Sequence, residues 1–257
     1  MSDNTAAKAV LVTGAAKRLG RDIALGMAQA GWDVVVHYRR SAADAEETAR
    51  LVRALGRQAI TGEAGLADQD ETDRLFGAAT HMPGLCCVVN NASRFEYDDP
   101  DGFEYATLEA HARPKLSAPI RLARRLHDWL GESGRGMVVN LLDQKLDHLN
   151  PDFFSYTLSK VGLLGATRMM AMAMAPRLRV VGVSPGITMI AGESSEPAFI
   201  KAHSHAPLGQ SSTSADIVAA VVFLAAAPAI TGINLIVDGG QHLLGLERDV
   251  MYLDDKS

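Results

Sequence analysis

Residues 136–160 read GMVVNLLDQKLDHLNPDFFSYTLSK, and this stretch decides the fold. It opens with a short apolar run after a glycine-rich turn, which predicts a strand buried on both faces. It ends with Tyr156-x-x-x-Lys160, and residues four apart on a helix lie on one face. Asp143 directly follows the predicted strand, at the edge where open α/β sheets bind ligands. The stretch therefore predicts a strand, a carboxylate and a helix whose tyrosine and lysine face one cleft.

A nearby cation favours the phenolate form of a tyrosine. We therefore expect Lys160 to lower the pKa of Tyr156 from about 10, so that the phenol can donate and regain a proton. Taken alone, the Tyr-x-x-x-Lys pattern is weak, because an amphipathic helix with a solvated lysine produces it equally well. The rest of the chain has to decide between these interpretations.

The chain has 257 residues, which fits one α/β domain, and we expect residues 1–257 to form that domain. Hydrophobic residues make up 47% and charged residues 21%, as is typical of a globular protein. The net charge of −5 argues against nucleic acid as the main partner. We therefore expect a small-molecule substrate.

Membrane and secretory signals are weak in this sequence. Residues 1–8 have no apolar core of a signal peptide, and the apolar segment 217–227 is too short to cross a bilayer. The two cysteines, Cys86 and Cys87, are adjacent, so in a strand they point to opposite faces and form no disulfide. These features predict a reduced, cytoplasmic protein with no membrane partner.

A glycine-rich loop, TGAAKRLG at residues 13–20, follows the apolar strand 9–12 and precedes an amphipathic helix at 21–30. Strand, glycine turn and helix is the context that a dinucleotide fingerprint requires. Glycines let the backbone approach a pyrophosphate, and the helix N-terminus offers unpaired N–H groups. The alternative is a plain strand-to-helix turn.

The second predicted strand, residues 32–37, leads into HYRRS at residues 37–41. An enzyme that binds NAD usually offers Asp or Glu to the ribose here, and a carboxylate would repel a 2′-phosphate. Arginine pairs with phosphate bidentately, and serine adds a hydroxyl donor. The sequence thus favours NADPH over NADH, with Lys17 and Arg18 adding positive charge. The alternative is a solvated loop.

The remaining chain continues to alternate between strand and helix patterns. Further strands are predicted at 58–62, 85–89, 179–183 and 233–237, and further helices at 42–55, 70–80, 101–112, 116–130, 156–174 and 214–227. This alternation predicts an α/β fold, a single-domain, Rossmann-like, doubly wound parallel sheet of about seven strands with helices on both faces.

Two segments lie outside this pattern. Residues 187–212 are polar and irregular and are interpreted as a substrate lid, and residues 241–257 as a C-terminal tail. His203 and His205 lie in the lid, but two lone histidines make no metal site. After the fourth strand comes NNASRF at 90–95, where Phe95 either stacks on a flat ligand ring or fills the core.

Six motifs follow one another along the chain: TG…G, NNA, Asp143, Tyr156-x-x-x-Lys160, PG and DGG. Their order resembles that of the short-chain dehydrogenase/reductase family over residues 9–242. Within that family the chain is most similar to the pteridine reductases and the bacterial dihydromonapterin/dihydrofolate reductases. Four features carry this similarity: Arg18 where relatives have glycine, HYxRS at 37–41, Ser93 and Phe95 after the fourth strand, and Asp143 where most relatives have serine.

The resemblance implies transfer of a hydride from NADPH to a C=N bond of a pterin-like ring. Tyr156 would supply the proton, relayed by Asp143, while Lys160 would hold the nicotinamide ribose. Cofactor-binding residues would be Gly14, Lys17, Arg18, Leu19, His37, Tyr38, Arg39, Arg40, Ser41, Leu66, Asn91, Ala92, Ser93, Tyr156, Lys160, Pro185, Gly186 and Ile187. Substrate-binding residues would be Arg18, Ser93, Phe95, Asp143 and Tyr156. The resemblance also implies a homotetramer or homodimer.

Two positions depart from the family pattern. Lys115 stands where relatives usually carry an asparagine of the proton relay, and Gly65 stands where an aspartate usually contacts adenine. Two other functions therefore stay open: reduction of a carbonyl, such as a 3-oxoacyl thioester or a ketone, and NADPH binding without catalysis. Asp143 argues against the first, since an ionised carboxylate cannot donate a hydrogen bond to a carbonyl oxygen.

Overall fold

Seven parallel strands form one sheet in the computed structural model, which describes residues 7–93, 95–190 and 196–252. In chain order they are β1 (Ala9–Val12), β2 (Asp33–Tyr38), β3 (Ala59–Glu63), β4 (Leu85–Asn90), β5 (Gly136–Leu141), β6 (Leu178–Pro185) and β7 (Asn234–Val237). Across the sheet they run β3-β2-β1-β4-β5-β6-β7. The predicted doubly wound parallel sheet is confirmed.

Helices cover both faces of this sheet. They are α1 (Arg18–Gln29), α2 (Ala42–Ala54), α3 (Gln69–Ala79), α4 (Tyr105–Ala112), α5 (Ala118–Leu130), α6 (Phe154–Ala173), α7 (Glu196–Ser204) and α8 (Ser214–Ala226). A π-turn, Arg113–Ser117, joins α4 to α5, and 3-10 turns lie at Gln144–Leu146, Gln241–Leu244 and Val250–Tyr252. Within the described segments, none of these helices combines the length and hydropathy that a bilayer span requires.

The inner strands, such as β1, are buried on both faces because successive side chains enter different hydrophobic layers. In β1, Val10 packs with residues of α1, α2 and α8, whereas Leu11 packs with residues of α3, α5 and α6. The chain runs outward from β1 to β3 and then returns to place β4 on the other side of β1. This reversal creates a crevice at the carboxyl ends of β1 and β4, where such sheets bind ligands.

The segment predicted to be an irregular lid, residues 187–212, contains helix α7, so that part of the prediction was wrong. Phe199 and His203, four residues apart, stack with ring centroids 5.4 Å apart and support the helix. His203 Nδ1 lies 2.7 Å from the Ile187 carbonyl oxygen and ties α7 to the chain leaving β6. Residues 191–195 lie outside the described residues, and the lid function stays a prediction.

The helix predicted at 101–112 begins only at Tyr105. The N–H of Gly102 donates to Asp99 Oδ1 at 2.8 Å, and this local turn delays the helix. The other predicted elements lie where the sequence placed them, with their ends shifted by a few residues. The single-domain prediction for 1–257 and the tail prediction for 241–257 stay predictions, because 1–6 and 253–257 lie outside the described residues.

Candidate active site

A cavity of about 740 Å³ opens at the carboxyl edge of the sheet. Most of the residues predicted to bind cofactor or substrate line it: Gly14, Lys17, Arg18, Leu19, His37, Arg39, Leu66, Asn91, Ala92, Ser93, Phe95, Asp143, Tyr156, Lys160, Pro185, Gly186 and Ile187. Tyr38, Arg40 and Ser41 do not line it. The folded chain therefore brings together motifs that are separated along the sequence.

The three predicted catalytic side chains meet in this cavity. The Tyr156 hydroxyl donates to Asp143 Oδ2 at 2.7 Å. Lys160 Nζ donates to the carbonyl oxygen of Leu141 at 2.5 Å and lies 5.6 Å from the centre of the Tyr156 ring. Both Tyr156 and Lys160 are buried. The phenol is thus held between a carboxylate and a cation, and the carboxylate makes the direct hydrogen bond.

The expected lowering of the Tyr156 pKa is wrong for this arrangement. Burial raises the pKa of Tyr156 well above its usual value, and the neighbouring Asp143 carboxylate raises it further. The Lys160 ammonium donates to a backbone carbonyl rather than to the phenol, so its effect on the phenol acts through space and is outweighed. Burial lowers the pKa of Lys160 itself to about 8, with Asp143 acting in the opposite direction.

Close contacts between backbone atoms fix the shape of the glycine-rich loop. Gly14 has φ +64°, and a Cβ at Gly20 would lie 2.1 Å from the Gly14 carbonyl oxygen. Thr13 Oγ1 accepts the N–H groups of Asn91 and Ala92 at 2.9 and 3.0 Å. Asn91 Nδ2 donates to the Thr13 carbonyl at 2.9 Å. The turns after β1 and β4 therefore support each other, and only glycine fits at position 20.

His37 is buried and fixes the same loop from the other side. Its Nδ1 accepts the N–H of Gly14 at 2.9 Å, so the proton of the neutral ring is on Nε2, which lies 3.1 Å from the Ala64 carbonyl. Burial lowers the pKa of His37 to about 4, while the Ala64 contact opposes this. The neutral imidazole thus joins the turns that follow β1 and β3.

This histidine predicts an acid-sensitive fold. The unfolded chain binds a proton at His37 below pH 6.5, whereas the folded chain binds it only near pH 4. The stabilisation is therefore complete above pH 6.5 and is lost as the pH falls through 4, a change on the order of 3 kcal/mol. Denaturant unfolding across this range should show the loss. In His37→Gln the dependence should be flatter, and parallel curves for the two proteins would contradict the assignment.

Of the basic residues predicted to bind the 2′-phosphate, Lys17, Arg18 and Arg39 line the cavity, and Arg40 does not. Lys17 forms an ion pair with Asp44 at 2.8 Å. Arg18 has φ +54° and donates to the Ile190 carbonyl across the entrance. Arg39 and Arg40 are exposed, and neither pairs with a carboxylate of the described residues. The two arginines after β2 are therefore available to an anion.

A carboxylate stands beside Gly65, where relatives usually carry an aspartate. The N–H of Gly65 donates to Glu71 Oε2 at 2.5 Å, and a Cβ at position 65 would lie 3.2 Å from that oxygen. Glu71 belongs to the first turn of α3. The sequence comparison at position 65 alone missed this carboxylate, because it comes from the next helix.

Phe95 belongs to an aromatic cluster beside Tyr156. Its ring stacks on Phe153 with centroids 4.0 Å apart and meets Tyr156 edge-on at 4.9 Å. The far side of Phe153 stacks on Tyr252 at 6.0 Å. Phe95 is half-buried and lines the cavity, so it is partly core residue and partly cavity wall.

The C-terminal segment supplies residues that the sequence analysis missed. Met251 lines the cavity. The segment is fixed by two charged contacts: Arg248, which is half-buried, donates from Nε to the buried Asp152 at 2.8 Å, and the buried Lys145 has its Nζ 3.3 Å from Asp249 Oδ2. Since Lys145 N also donates to Asp143 Oδ1 at 2.9 Å, this segment is connected to the loop that carries Asp143. No local pattern in residues 241–257 signals these contacts.

A second missed feature is a buried hydrogen-bonded chain behind the site. Asn90 Nδ2 donates to Asn140 Oδ1 at 2.8 Å, and Asn140 Nδ2 donates to Thr167 Oγ1 at 2.8 Å. The chain joins β4, β5 and α6 and so fixes the helix that carries Tyr156 and Lys160. An asparagine inside the apolar run MVVNLL was the available signal, because a buried amide needs a partner.

Comparisons with known proteins agree with this architecture. A family model described as enoyl-(acyl carrier protein) reductase matches residues 14–242. Pteridine reductase 1 of Leishmania tarentolae is 32% identical over 288 aligned positions, which cover 95% of this chain and 99% of that protein. The family model therefore covers strands β2 to β7 and all of the residues that line the cavity except Met251.

Two further similar proteins are named for different reactions. The crystal structure of FolM alternative dihydrofolate reductase 1 from Brucella canis, complexed with NADP, matches with a TM-score of 0.89 and 35% identity, covering 95% of this chain and 97% of that one. The 3-oxoacyl-(acyl-carrier-protein) reductase FabG of Staphylococcus aureus is 27% identical over 242 positions, covering 92% of this chain and 98% of that protein. These relatives act on different substrate classes, so the substrate has to be argued from the site.

Proposed function

The chain belongs to the short-chain dehydrogenase/reductase family, and from this premise we propose that it is an NADPH-dependent reductase of a pterin-like C=N bond. The observation that carries the substrate class is the 2.7 Å hydrogen bond between Tyr156 and Asp143. Asp143 accepts from the phenol, and a carboxylate that only accepts cannot donate a hydrogen bond to a carbonyl oxygen, whereas it can accept from the N–H groups of a pterin-like ring.

The cavity fits a phosphorylated dinucleotide. The close backbone approach at Gly14 and Gly20 leaves N–H groups of the loop and the start of α1 for a pyrophosphate, and Arg39 and Arg40 stand at the end of β2. Lys160 and Asn91 line the same cavity, and Asn91 is bonded to the carbonyl of Thr13 at the start of the loop. When bound there, NADPH supplies the hydride, and the chain supplies binding, orientation and the proton.

Tyr156 is the proposed proton donor. Because burial and Asp143 keep its pKa high, the phenol is fully protonated at neutral pH and ready to donate. As the phenol proton leaves, the Lys160 ammonium is the nearby cation of α6 that stabilises the phenolate. Asp143, which accepts from the hydroxyl, holds the phenol in position.

Phe95 supports a flat aromatic substrate. Phe153 covers one side of its ring, and the ring also lines the cavity beside Tyr156. Aromatic rings prefer offset stacking against other flat rings, and a pterin offers such a face. Ser93 and Arg18, which line the same cavity, are proposed to contact the substrate and the cofactor phosphates.

The second candidate is reduction of a carbonyl, which the similarity to a 3-oxoacyl-(acyl-carrier-protein) reductase favours. Purified protein with NADPH should be assayed against dihydropterins, dihydrofolate and an acetoacetyl thioester, following the loss of NADPH absorbance. We expect steady oxidation of NADPH with the reduced pterins and little with the thioester. The reverse pattern would replace the proposal with carbonyl reduction, and inertness toward the whole panel would favour NADPH binding without catalysis.

Changing Arg40 to alanine tests the cofactor assignment. We expect NADPH binding to weaken by about 1.5–3 kcal/mol, the usual contribution of a charged hydrogen bond, with NADH binding nearly unchanged. Titration of the two cofactors by fluorescence or calorimetry measures both affinities. Arg50→Ala is the matched control, because Arg50 is on the exposed face of α2 and pairs with Glu47. Equal losses for NADPH and NADH would contradict the assignment of Arg40.

We also propose that the protein assembles as a homodimer or homotetramer. Large apolar side chains are exposed on α6 and α8, including Met169, Met172 and Phe223, which are 66%, 84% and 56% exposed. Such side chains suit an interface between copies of the chain.

Both cysteines are free thiols, which suits the reducing cytoplasm as the location.

A further inference from the structure

Helix α4 is joined to α5 by a π-turn that lies against the helix of the catalytic tyrosine. The turn contains Pro114, which has no N–H to give to the helix, and the N–H of Ala118 donates to the carbonyl of Arg113, five residues back. Leu116 fills the space beside Gly162 of α6. π-turns are often found at functional sites because they redirect a side chain. Here the redirected side chain is Lys115.

Lys115 is buried beneath the catalytic phenol. It is 2% exposed, and its Nζ lies 5.0 Å from the centre of the Tyr156 ring. The same nitrogen is in hydrogen-bond contact with Nδ1 of His111, which is fully buried one turn earlier. An ammonium can only donate, so the imidazole accepts through Nδ1 and carries its proton on Nε2. His111 thus fixes the ammonium over the ring.

Among residues 7–93, 95–190 and 196–252, five charged or titratable groups face Tyr156 from the elements around it. They are Asp143 after β5, Lys160 on α6, Lys115 in the π-turn, His111 on α4 and Asp249 in the C-terminal segment. The two carboxylates disfavour the phenolate. The two ammonium groups favour it, and they lie at similar distances, 5.0 and 5.6 Å, from the ring centre.

We propose that Lys115 is a positioning residue of the reaction: its ammonium, held by His111 over the Tyr156 ring, stabilises the phenolate that forms as the proton leaves. This rests on the proposed function, in which Tyr156 is the proton donor. A cation is attracted to the electron-rich face of an aromatic ring, and the attraction grows when the ring becomes a phenolate. Because Lys115 and Tyr156 are both buried, this charge is screened less than it would be in water.

The test places 3,5-difluorotyrosine at position 156, both in the wild-type protein and in variants of Lys115, with NADP⁺ bound. This phenol is more acidic than that of tyrosine, and its ionisation is followed by ¹⁹F NMR without any substrate. In Lys115→Met, which keeps the length of the side chain and removes its charge, we expect ionisation about one pH unit higher, a tenfold change in the constant. Lys115→Arg, which restores the charge, should return the value toward wild type.

Kinetics provide the second readout. With tyrosine at position 156, Lys115→Met should lower kcat about tenfold with little change in KM. The alkaline limb of its profile of kcat against pH should move to higher pH. If Lys115→Met gives no folded protein, Lys115→Gln, which still donates to His111, takes its place. Ionisation of residue 156 at the wild-type pH in the charge-free variant would overturn the proposal. Because the titration uses no substrate, inertness toward pterins would refute the proposed substrate and leave this test intact.

Discussion

Tyr156→Phe is expected to lower kcat by about 10²–10⁴-fold while the affinity for NADPH stays the same. This range is the usual contribution of a positioned proton donor. The substitution removes the hydroxyl that donates to Asp143 but keeps the ring, which meets Phe95 at 4.9 Å. The loss should therefore appear in turnover rather than in the shape of the cavity.

Single-turnover and steady-state rates with a reduced pterin, together with an NADPH titration, measure both parts of this expectation. Tyr105→Phe is the matched control, because Tyr105 is 81% exposed at the start of α4, and it should behave as wild type. A Tyr156→Phe protein that turns over at the wild-type rate would remove this residue from the mechanism.

The second large effect is expected from Gly20→Ala, which should weaken NADPH binding by roughly 3 kcal/mol, about a hundredfold. The new methyl would lie 2.1 Å from the Gly14 carbonyl oxygen and 2.5 Å from Asn91 Nδ2. Neither partner is free to move, since both belong to the joined turns after β1 and β4. The loop must therefore shift away from the position in which it receives a pyrophosphate.

Calorimetric titration with NADPH, alongside thermal unfolding, separates loss of binding from loss of fold. Gly77→Ala is the control, because it adds the same methyl to α3 with nothing within 4 Å of the new atom. We expect that variant to bind NADPH normally and to be slightly more stable, as alanine favours a helix over glycine. Normal NADPH affinity in Gly20→Ala would contradict the assigned role of the loop.

The sheet was predictable because its signals are local. Buried strands such as Ala9–Val12 are continuous apolar runs, each followed by a turn and an amphipathic helix. The π-turn at Arg113–Ser117 and helix α7 were not predicted. The first depends on how Pro114 and Leu116 sit against α6, and the second on contacts such as His203 with Ile187. Contacts of this kind cannot be predicted from the spacing of apolar residues along the chain.

The candidate site was predictable to the extent that it follows strand ends. Most motif residues line one cavity for that reason. The direction of the Tyr156 pKa was wrong, because burial and a carboxylate hydrogen bond outweigh a cation in the same helix. The link between Lys145 and Asp249 joins residues 104 positions apart, and Glu71 reaches position 65 from a separate helix. Such contacts become visible only in the folded chain.

We propose that a pterin-like ring lies on Phe95 with the Tyr156 hydroxyl beside its reacting bond. A crystal structure with NADP⁺ and a dihydropterin tests it most directly, by the distance from Tyr156 Oη to the nearest ring nitrogen. We predict a ring stacked on Phe95 and a hydrogen-bonding distance of about 2.6–3.2 Å, direct or through one water. A ring bound outside this cavity, or one that leaves Tyr156 beyond the reach of such a bond, would contradict the account.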